Sequence, residues 1–309
     1  MARFDVTRHC PLCGGASGSV FATIRAAAIG PSNETYRANY LKILRLAPDD
    51  EFPLVECACG FVFSGWLPDE AFLHRLYEDA IDHSLTVTGT VCYRQSLLEL
   101  AAAFLQFALA QGAPARPRLL DFGCGYGALL RMLGSRDIEA YGYEPSAARA
   151  STADRAGPQV LTRFDEIEKA GPFDLFICTE VLEHMPDPRG ALKLLRANAR
   201  PGALLAITVP NFHRQDLAES LKGERGGAVL SRAINPWEHL NYFSDVSLRR
   251  LLAQEGFAVK QDFGKTRAAL NACARFGDVP PSNAAVNSLR VAKRAWTAQP
   301  STQLFCRCG

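Results

Sequence analysis

The chain has 309 residues, with 34 Lys and Arg against 32 Asp and Glu, so its formal net charge is +2. Hydrophobic residues make up 48% and charged residues 21%. That balance excludes a disordered, a collagen-like or a strongly polyanion-seeking chain. At about 100–200 residues per domain, one large domain plus a smaller appendage is expected.

The first residues, MARFDVTRHCPLCGG, contain no apolar run ahead of a cleavage site. The most apolar stretch, 97–110, carries Glu99 and Gln106 and is shorter than the roughly 20 residues a bilayer needs. The expectation is a cytoplasmic protein with no membrane partner. In a reducing compartment its ten cysteines should be metal ligands or buried thiols, not disulfides. Charge is uneven along the chain. Residues 1–115 hold 8 basic and 12 acidic side chains, while 264–309 hold 7 basic and 1 acidic.

In chain order, residues 1–70 are rich in Gly, Pro and Cys, show no long helical period and read as a small loop-and-hairpin module. Residues 69–83 and 91–111 read as helices. In the second, Leu97, Leu98, Ala101, Phe104, Leu105 and Ala108 recur at helical spacing and mark one buried face. The breaker 112–117 is a domain boundary. Strands then alternate with helices. Strands are predicted at 118–122, 139–144, 159–163, 173–179, 203–209 and 257–263, with a last one at 302–306. Helices are predicted from 128, over 147–156, from the Asp187-Pro188 N-cap to Pro201, and over 245–255 ended by Gly256. The alternation implies an α/β, doubly wound, mostly parallel sheet of seven strands, with the last strand antiparallel at an edge. Insertions are expected at 210–244 and 264–300.

The strongest local signal is Leu119-Leu-Asp-Phe-Gly-Cys-Gly-Tyr-Gly127. Gly123, Gly125 and Gly127 follow a buried strand and open a helix, so a ligand can lie against the backbone. Cys124 supplies a small side chain inside the turn. Glu144 ends the next strand, 21 residues after Gly123, where a carboxylate can hold the two hydroxyls of an adenosine ribose. The same residues also fit Gly123-x-Gly125-x-x-Ala128, a dinucleotide fingerprint. Against that, Gly127 opens the turn further, and Asp121 would repel a pyrophosphate but attract a ligand carrying an ammonium and a sulfonium.

The motifs LLDFGCGYG, YGYEP and FDLFICTEVLEHMPDP, in this order, resemble the class I S-adenosylmethionine-dependent methyltransferases over roughly 116–263, with a return at 301–307. The resemblance implies a Rossmann-like methyltransferase domain over 116–309. It implies that Asp121, Gly123, Cys124, Gly125 and Gly127 line the methionine part of S-adenosylmethionine. Glu144, with Pro145 beside it, would hold the ribose, Phe164 and Asp165 would flank the adenine, and Thr179 and Glu180 would lie along the methionine side. Residues 71–115, with Tyr77, Tyr93 and Arg94, would form a helical lid or linker.

Methyl transfer needs a base only where the acceptor has a proton to lose, and histidine suits that work near neutral pH. His184 follows the fourth strand in Glu183-His184. His239 follows Glu238 in the 210–244 insertion. His239 is the preferred base, oriented by Glu238, with His184 second. His9, His74, His83 and His213 carry no supporting pattern.

Cys10-x-x-Cys13-Gly and Cys57-x-Cys59-Gly are two knuckles separated by 43 residues. Four thiolates of this kind close a structural zinc site and give residues 1–70 a zinc-ribbon-like character. Cys306 and Cys308 read as ordinary thiols, and Cys92, Cys124, Cys178 and Cys273 as scattered buried ones. A four-cysteine module, a lid and this core are similar to the deoxysugar C-methyltransferases, whose Glu-His pair Glu238 and His239 match. Pro236-Trp237 stands where those enzymes have a tyrosine. The expected acceptor is a small molecule, a sugar or nucleotide sugar, methylated on carbon or oxygen. The alternatives are a zinc-ribbon ribosomal RNA methyltransferase, disfavoured as a nucleic-acid binder by the acidic N-terminal module, an NAD-dependent oxidoreductase, and a non-catalytic binding module on a relic core. The oligomeric state is left open.

Overall fold

The computed structural model describes residues 8–16, 18–29, 34–80, 90–133, 137–154, 158–212, 234–262 and 301–309. The larger of its two sheets contains β4 (Arg118–Phe122), β5 (Glu139–Tyr143), β6 (Gln159–Leu161), β7 (Phe173–Thr179), β8 (Ala199–Pro210), β10 (Phe257–Asp262) and β11 (Ser301–Cys308). Their order across the sheet is β10-β11-β8-β7-β4-β5-β6. Strands β4 to β8 are paired in parallel. From β4 the chain winds outward through β5 and β6, then crosses to β7 on the other side. That reversal leaves a crevice at the carboxyl ends of β4 and β7, where doubly wound sheets bind ligands.

Side-chain alternation in β7 explains the layers. Leu175 and Ile177 face one cluster, with Leu97, Phe104 and Ala108 of the helix Thr90–Ala110 (α3) and Leu129 and Leu133 of Ala128–Leu133 (α4). Phe176 and Cys178 face the opposite cluster, with Leu192 and Leu195 of Pro188–Ala197 (α7) and Leu248, Leu251 and Leu252 of Asp245–Gln254 (α8). Helix α7 starts as the sequence predicts: Asp187 accepts a hydrogen bond from the Gly190 amide at 2.9 Å and Pro188 occupies the first turn.

Three features differ from expectation. Strand β11 is not at an edge; it lies antiparallel between β8 and β10. Thr302 to Cys306 are all buried, as a strand paired on both sides must be. Phe164–Ala170 is a helix (α6), with Glu166 accepting the amides of Thr162 and Arg163. The N-terminal segment holds a helix, Glu34–Leu44 (α1), besides its strands. Among its described side chains Tyr40, Leu41 and Leu44 are buried.

The smaller sheet is antiparallel, with order β1-β2-β3-β9, from Gly18–Arg25 (β1), Glu51–Cys57 (β2), Val62–Ser64 (β3) and Asn241–Tyr242 (β9). Strand β9 comes from the segment expected as an insertion at 210–244, so this sheet joins the N-terminal residues to the main chain fold. Trp237 is fully buried beside Phe52, with ring centroids 5.1 Å apart. Glu70–His74 (α2) continues into a wider-wound stretch, Arg75–Ala80. Ala147–Asp154 (α5) follows β5. The expected insertion at 264–300, with Cys273, and the residues His83 and His213 lie outside the described residues. No helix among the described residues is long and apolar enough to cross a membrane.

Candidate functional site

The turn after β4 is held from below: the amides of Gly123 and Cys124 both donate to the Tyr143 carbonyl, at 2.8 and 2.9 Å. Gly123 and Gly127 have φ of +83° and +69°. A Cβ on Gly123 would run into Val181, and one on Gly127 would meet Ala153 at 2.9 Å. A Cβ on Gly125 would meet nothing within 4 Å, so the turn is packed below and open above.

Two carboxylates face this turn. Asp121 is buried, and burial, reinforced by Glu144, pushes its carboxyl up to about 7. The Glu144 carboxylate accepts from the Gly125 amide at 3.1 Å and from the Ser146 amide at 2.9 Å. Burial raises Glu144 as well, and those two amides oppose the shift. Pro145 is exposed beside it. Cys124 is buried in the turn, and burial pushes its thiol well up, so it is inert packing.

Phe164, which the resemblance would place beside the adenine, packs against Tyr143 and Phe122, with centroids 5.2 and 6.3 Å away, and is 42% exposed. Its free face offers an apolar platform. Asp165 points to basic neighbours instead: Arg163 and Lys169 hold it at 2.6 and 2.8 Å, and these contacts keep its carboxyl far below the usual range. Thr179 ends β7. Glu180 follows at φ +54°, pinned because its amide donates to the Thr208 carbonyl and its carboxylate accepts from the Thr208 hydroxyl at 2.9 Å.

The segment Arg75–Ala80 reaches the same end of the sheet. Arg149, at the start of α5, lies over the rings of Tyr77 and Tyr126, 5.2 and 5.8 Å from their centroids. Burial and the nearby carboxylates Glu238, Glu183 and Glu144 raise the Tyr77 phenol. The side chains of Tyr93 and Arg94 lie outside the described residues.

The two candidate bases are brought together: the rings of His184 and His239 sit 4.8 Å apart, edge to face. His184 Nδ1 lies 2.8 Å from the Glu238 carbonyl. A carbonyl only accepts, so Nδ1 carries the proton and Nε2 keeps its lone pair. Glu238 thus orients His184 through its backbone, while its carboxylate accepts from Asn235 at 2.8 Å. Burial, and then His239, push His184 down to about 3, so it is neutral at ordinary pH. Glu183, beside it, is 2% exposed, and burial raises its carboxyl well above the ordinary range.

Both histidine loops are tied to the N-terminal module. Arg8, itself buried, donates to the Leu240 carbonyl at 2.8 Å, the Pro186 carbonyl at 2.7 Å and Asn241 Oδ1 at 2.8 Å. Asn241 in turn donates from its amide nitrogen to the carbonyls of Leu182 and Met185. Nothing in the spacing of Arg8 or Asn241 distinguishes them before the chain is folded, whereas Glu183 is visible in the sequence only as the neighbour of His184. Tyr77 sits in the segment expected as a lid, and its place beside Arg149 comes from the fold.

Cys10, Cys13, Cys57 and Cys59 converge, with all four sulfurs within 4.8 Å of one another. The pairs Cys10–Cys59 and Cys13–Cys57 are 3.7 and 3.5 Å apart. A tetrahedron with bonds of about 2.3 Å has edges of about 3.8 Å, so the spacing fits four-thiolate zinc. Gly14 and Gly60, at φ +73° and +83°, close the two knuckles, and the shorter second one turns as tightly as the first. Hydrogen bonding from the Gly15 amide lowers Cys13 to about 7. Cys306 and Cys308 are buried in the sheet core, far from this role. His9 is exposed beside the first knuckle. His74 is exposed and lies 3.9 Å from Asp79.

A ubiquinone biosynthesis O-methyltransferase of Xanthomonas axonopodis pv. citri is 32% identical over 117 residues, 35% of this chain and 48% of the relative. One of Hahella chejuensis is 30% identical over 152 residues, 46% of this chain and 64% of the relative. The chain thus spans between about half and just under two thirds of the length of these two curated relatives. Among solved structures, the magnesium protoporphyrin IX methyltransferase of Synechocystis PCC 6803 with bound SAH is 17% identical with a TM-score of 0.47, covering 77% of this chain and 93% of that one. A family model described as a methyltransferase domain matches residues 93–262, more than half of the chain. The matched span runs from α3 to the end of β10 and takes in the glycine turn, Glu144 and both histidines, and the chain belongs to this methyltransferase-domain family.

Proposed function

We propose that the protein transfers a methyl group from S-adenosylmethionine to a small-molecule acceptor. The observation that carries this reading is the pair Asp121 and Glu144 around an open glycine turn at the switch point of the sheet. A buried carboxyl there favours a cationic ligand over a pyrophosphate. This speaks against NAD. The acidic N-terminal module speaks against RNA.

In this reading Asp121 and the backbone of Gly123 to Gly127 receive the methionine part, with Thr179 and Glu180 along it. Glu144 leaves its amide partners to take the ribose hydroxyls. Phe164 covers the adenine. Asp165 contributes only by detaching from Arg163 and Lys169. Methyl transfer is an in-line displacement at an already activated carbon, so alignment and exclusion of water are the protein's main contributions. Tyr77, Tyr126 and Arg149 supply the cover. His239 takes the acceptor's proton, and His184, neutral and held by Glu238, is second in that role. The acceptor is a sugar or nucleotide sugar, methylated at oxygen or at an acidic carbon. The four cysteines hold a structural zinc, which steadies Arg8 and through it both histidine loops.

The test is incubation of the purified chain with S-adenosylmethionine labelled in its methyl group and a panel of nucleotide sugars. Label should move to one of them. His239→Ala should abolish that transfer and keep cofactor affinity within about twofold. Equal loss of both would refute the base assignment.

A further inference from the structure

The base in this reading needs one lone pair, yet three side chains converge where it stands. One donor atom each from Glu183, His184 and His239 lies within 4.8 Å of the others. Glu183 is almost fully buried, and neither carboxylate oxygen has a hydrogen-bond partner among the described residues. A buried carboxyl group left without partners is costly and calls for an explanation. Its neighbour does not supply one: His184 Nε2 stands 3.7 Å from Glu183 Oε1, too far for a hydrogen bond. That nitrogen carries a lone pair, because Nδ1 is committed to the Glu238 carbonyl. An imidazole that donates from one nitrogen to a backbone carbonyl and offers the other is the usual arrangement of a metal-bound histidine. Two imidazoles and one carboxylate form a donor set for first-row transition metals with positions left open.

We propose that Glu183, His184 and His239 bind one divalent first-row transition-metal ion, at a site separate from the four-cysteine cluster. The ion gives both orphaned oxygens of Glu183 a charge to face. The donors lie on two loop ends, after β7 and before β9, with Glu183 buried and the two histidines half-buried, and closing them onto an ion needs small shifts of these side chains. The consequence rests on the methyltransferase reading: an ion on the His239 lone pair withdraws it from proton transfer, so ion and acceptor proton compete for the same nitrogen. Ion binding itself does not depend on turnover, and the test below separates the two.

The experiment is a titration of the full chain, given a single equivalent of zinc so that only the tighter four-thiolate site is filled, with manganese chloride, following free aquo-manganese by electron paramagnetic resonance. The expected result is one manganese per chain. Glu183→Gln and His239→Ala should each weaken it at least tenfold without lowering the melting temperature. Glu183→Gln is a neutral isostere at a buried position, so its fold should persist. Absence of binding below millimolar manganese, or equal binding by both variants, overturns the proposal whether or not the chain transfers methyl groups.

Discussion

Arg8 donates to Asn241 Oδ1 at 2.8 Å, a contact between residues 233 positions apart that links the first cysteine knuckle to the loop carrying His239. Asn241 passes the link on to the carbonyls of Leu182 and Met185, on either side of His184. The two histidine loops, bonded directly to each other, are thus also braced from outside the matched methyltransferase span. Arg8→Ala leaves the Pro186 carbonyl and Asn241 Oδ1 without this donor, and should cost about 2–4 kcal/mol in urea unfolding. Affinity for S-adenosylmethionine should stay within about twofold, since the hydrogen bonds of Arg8 go to Leu240, Pro186 and Asn241, none of them in the glycine turn.

In the proposed reading Asp121 sets the pH dependence of cofactor binding. Its carboxyl is raised to about 7, so below that pH a proton competes with the cationic ligand. Affinity for S-adenosylmethionine should rise by up to about tenfold per pH unit as pH approaches 7, then level off. Asp121→Asn should weaken binding by about 10–100-fold, or about 1.4–2.8 kcal/mol, and flatten this profile. Calorimetry from pH 5.5 to about 8 reads both effects; an unchanged slope in the variant contradicts the assignment.

The four-cysteine site predicts about one zinc per purified chain. Cys57→Ser should lower the zinc content and the melting temperature together, because small modules with little apolar core depend on such staples. A metal-free chain with an unchanged melting temperature would contradict the site.

Packing below the glycine turn predicts a stability effect. Gly127→Ala places a Cβ 2.9 Å from Ala153 at a left-handed φ of +69°, and should cost about 2–4 kcal/mol in chemical unfolding. Phe305→Ala tests the inserted strand: a fully buried ring in contact with Phe104 and Phe107 should cost about 3–5 kcal/mol, where an edge residue would cost far less.

Local patterns made much of this molecule legible before folding. The α3 stripe, the Asp187-Pro188 start of α7 and the strand–turn–helix around Gly123 are set by neighbours within a few residues, so the sequence displays them. The place of β11 depends on pairing with two strands distant in the chain. Its short apolar run reads the same at an edge or in the middle. The two residues of β9 carry no strand signal at all; β3 makes them a strand. At the site, the glycines and acids announce themselves by spacing, whereas the isolation of Glu183 and the reach of Arg8 exist only once distant segments meet.

The central claim is that the crevice past β4 and β5 was shaped for an adenosyl sulfonium. Parallel calorimetric titrations of the pure chain with S-adenosylmethionine and with NAD test it most directly. The account predicts saturable heat with one S-adenosylmethionine per chain and none with NAD. Saturable binding of NAD, with S-adenosylmethionine silent, would contradict it.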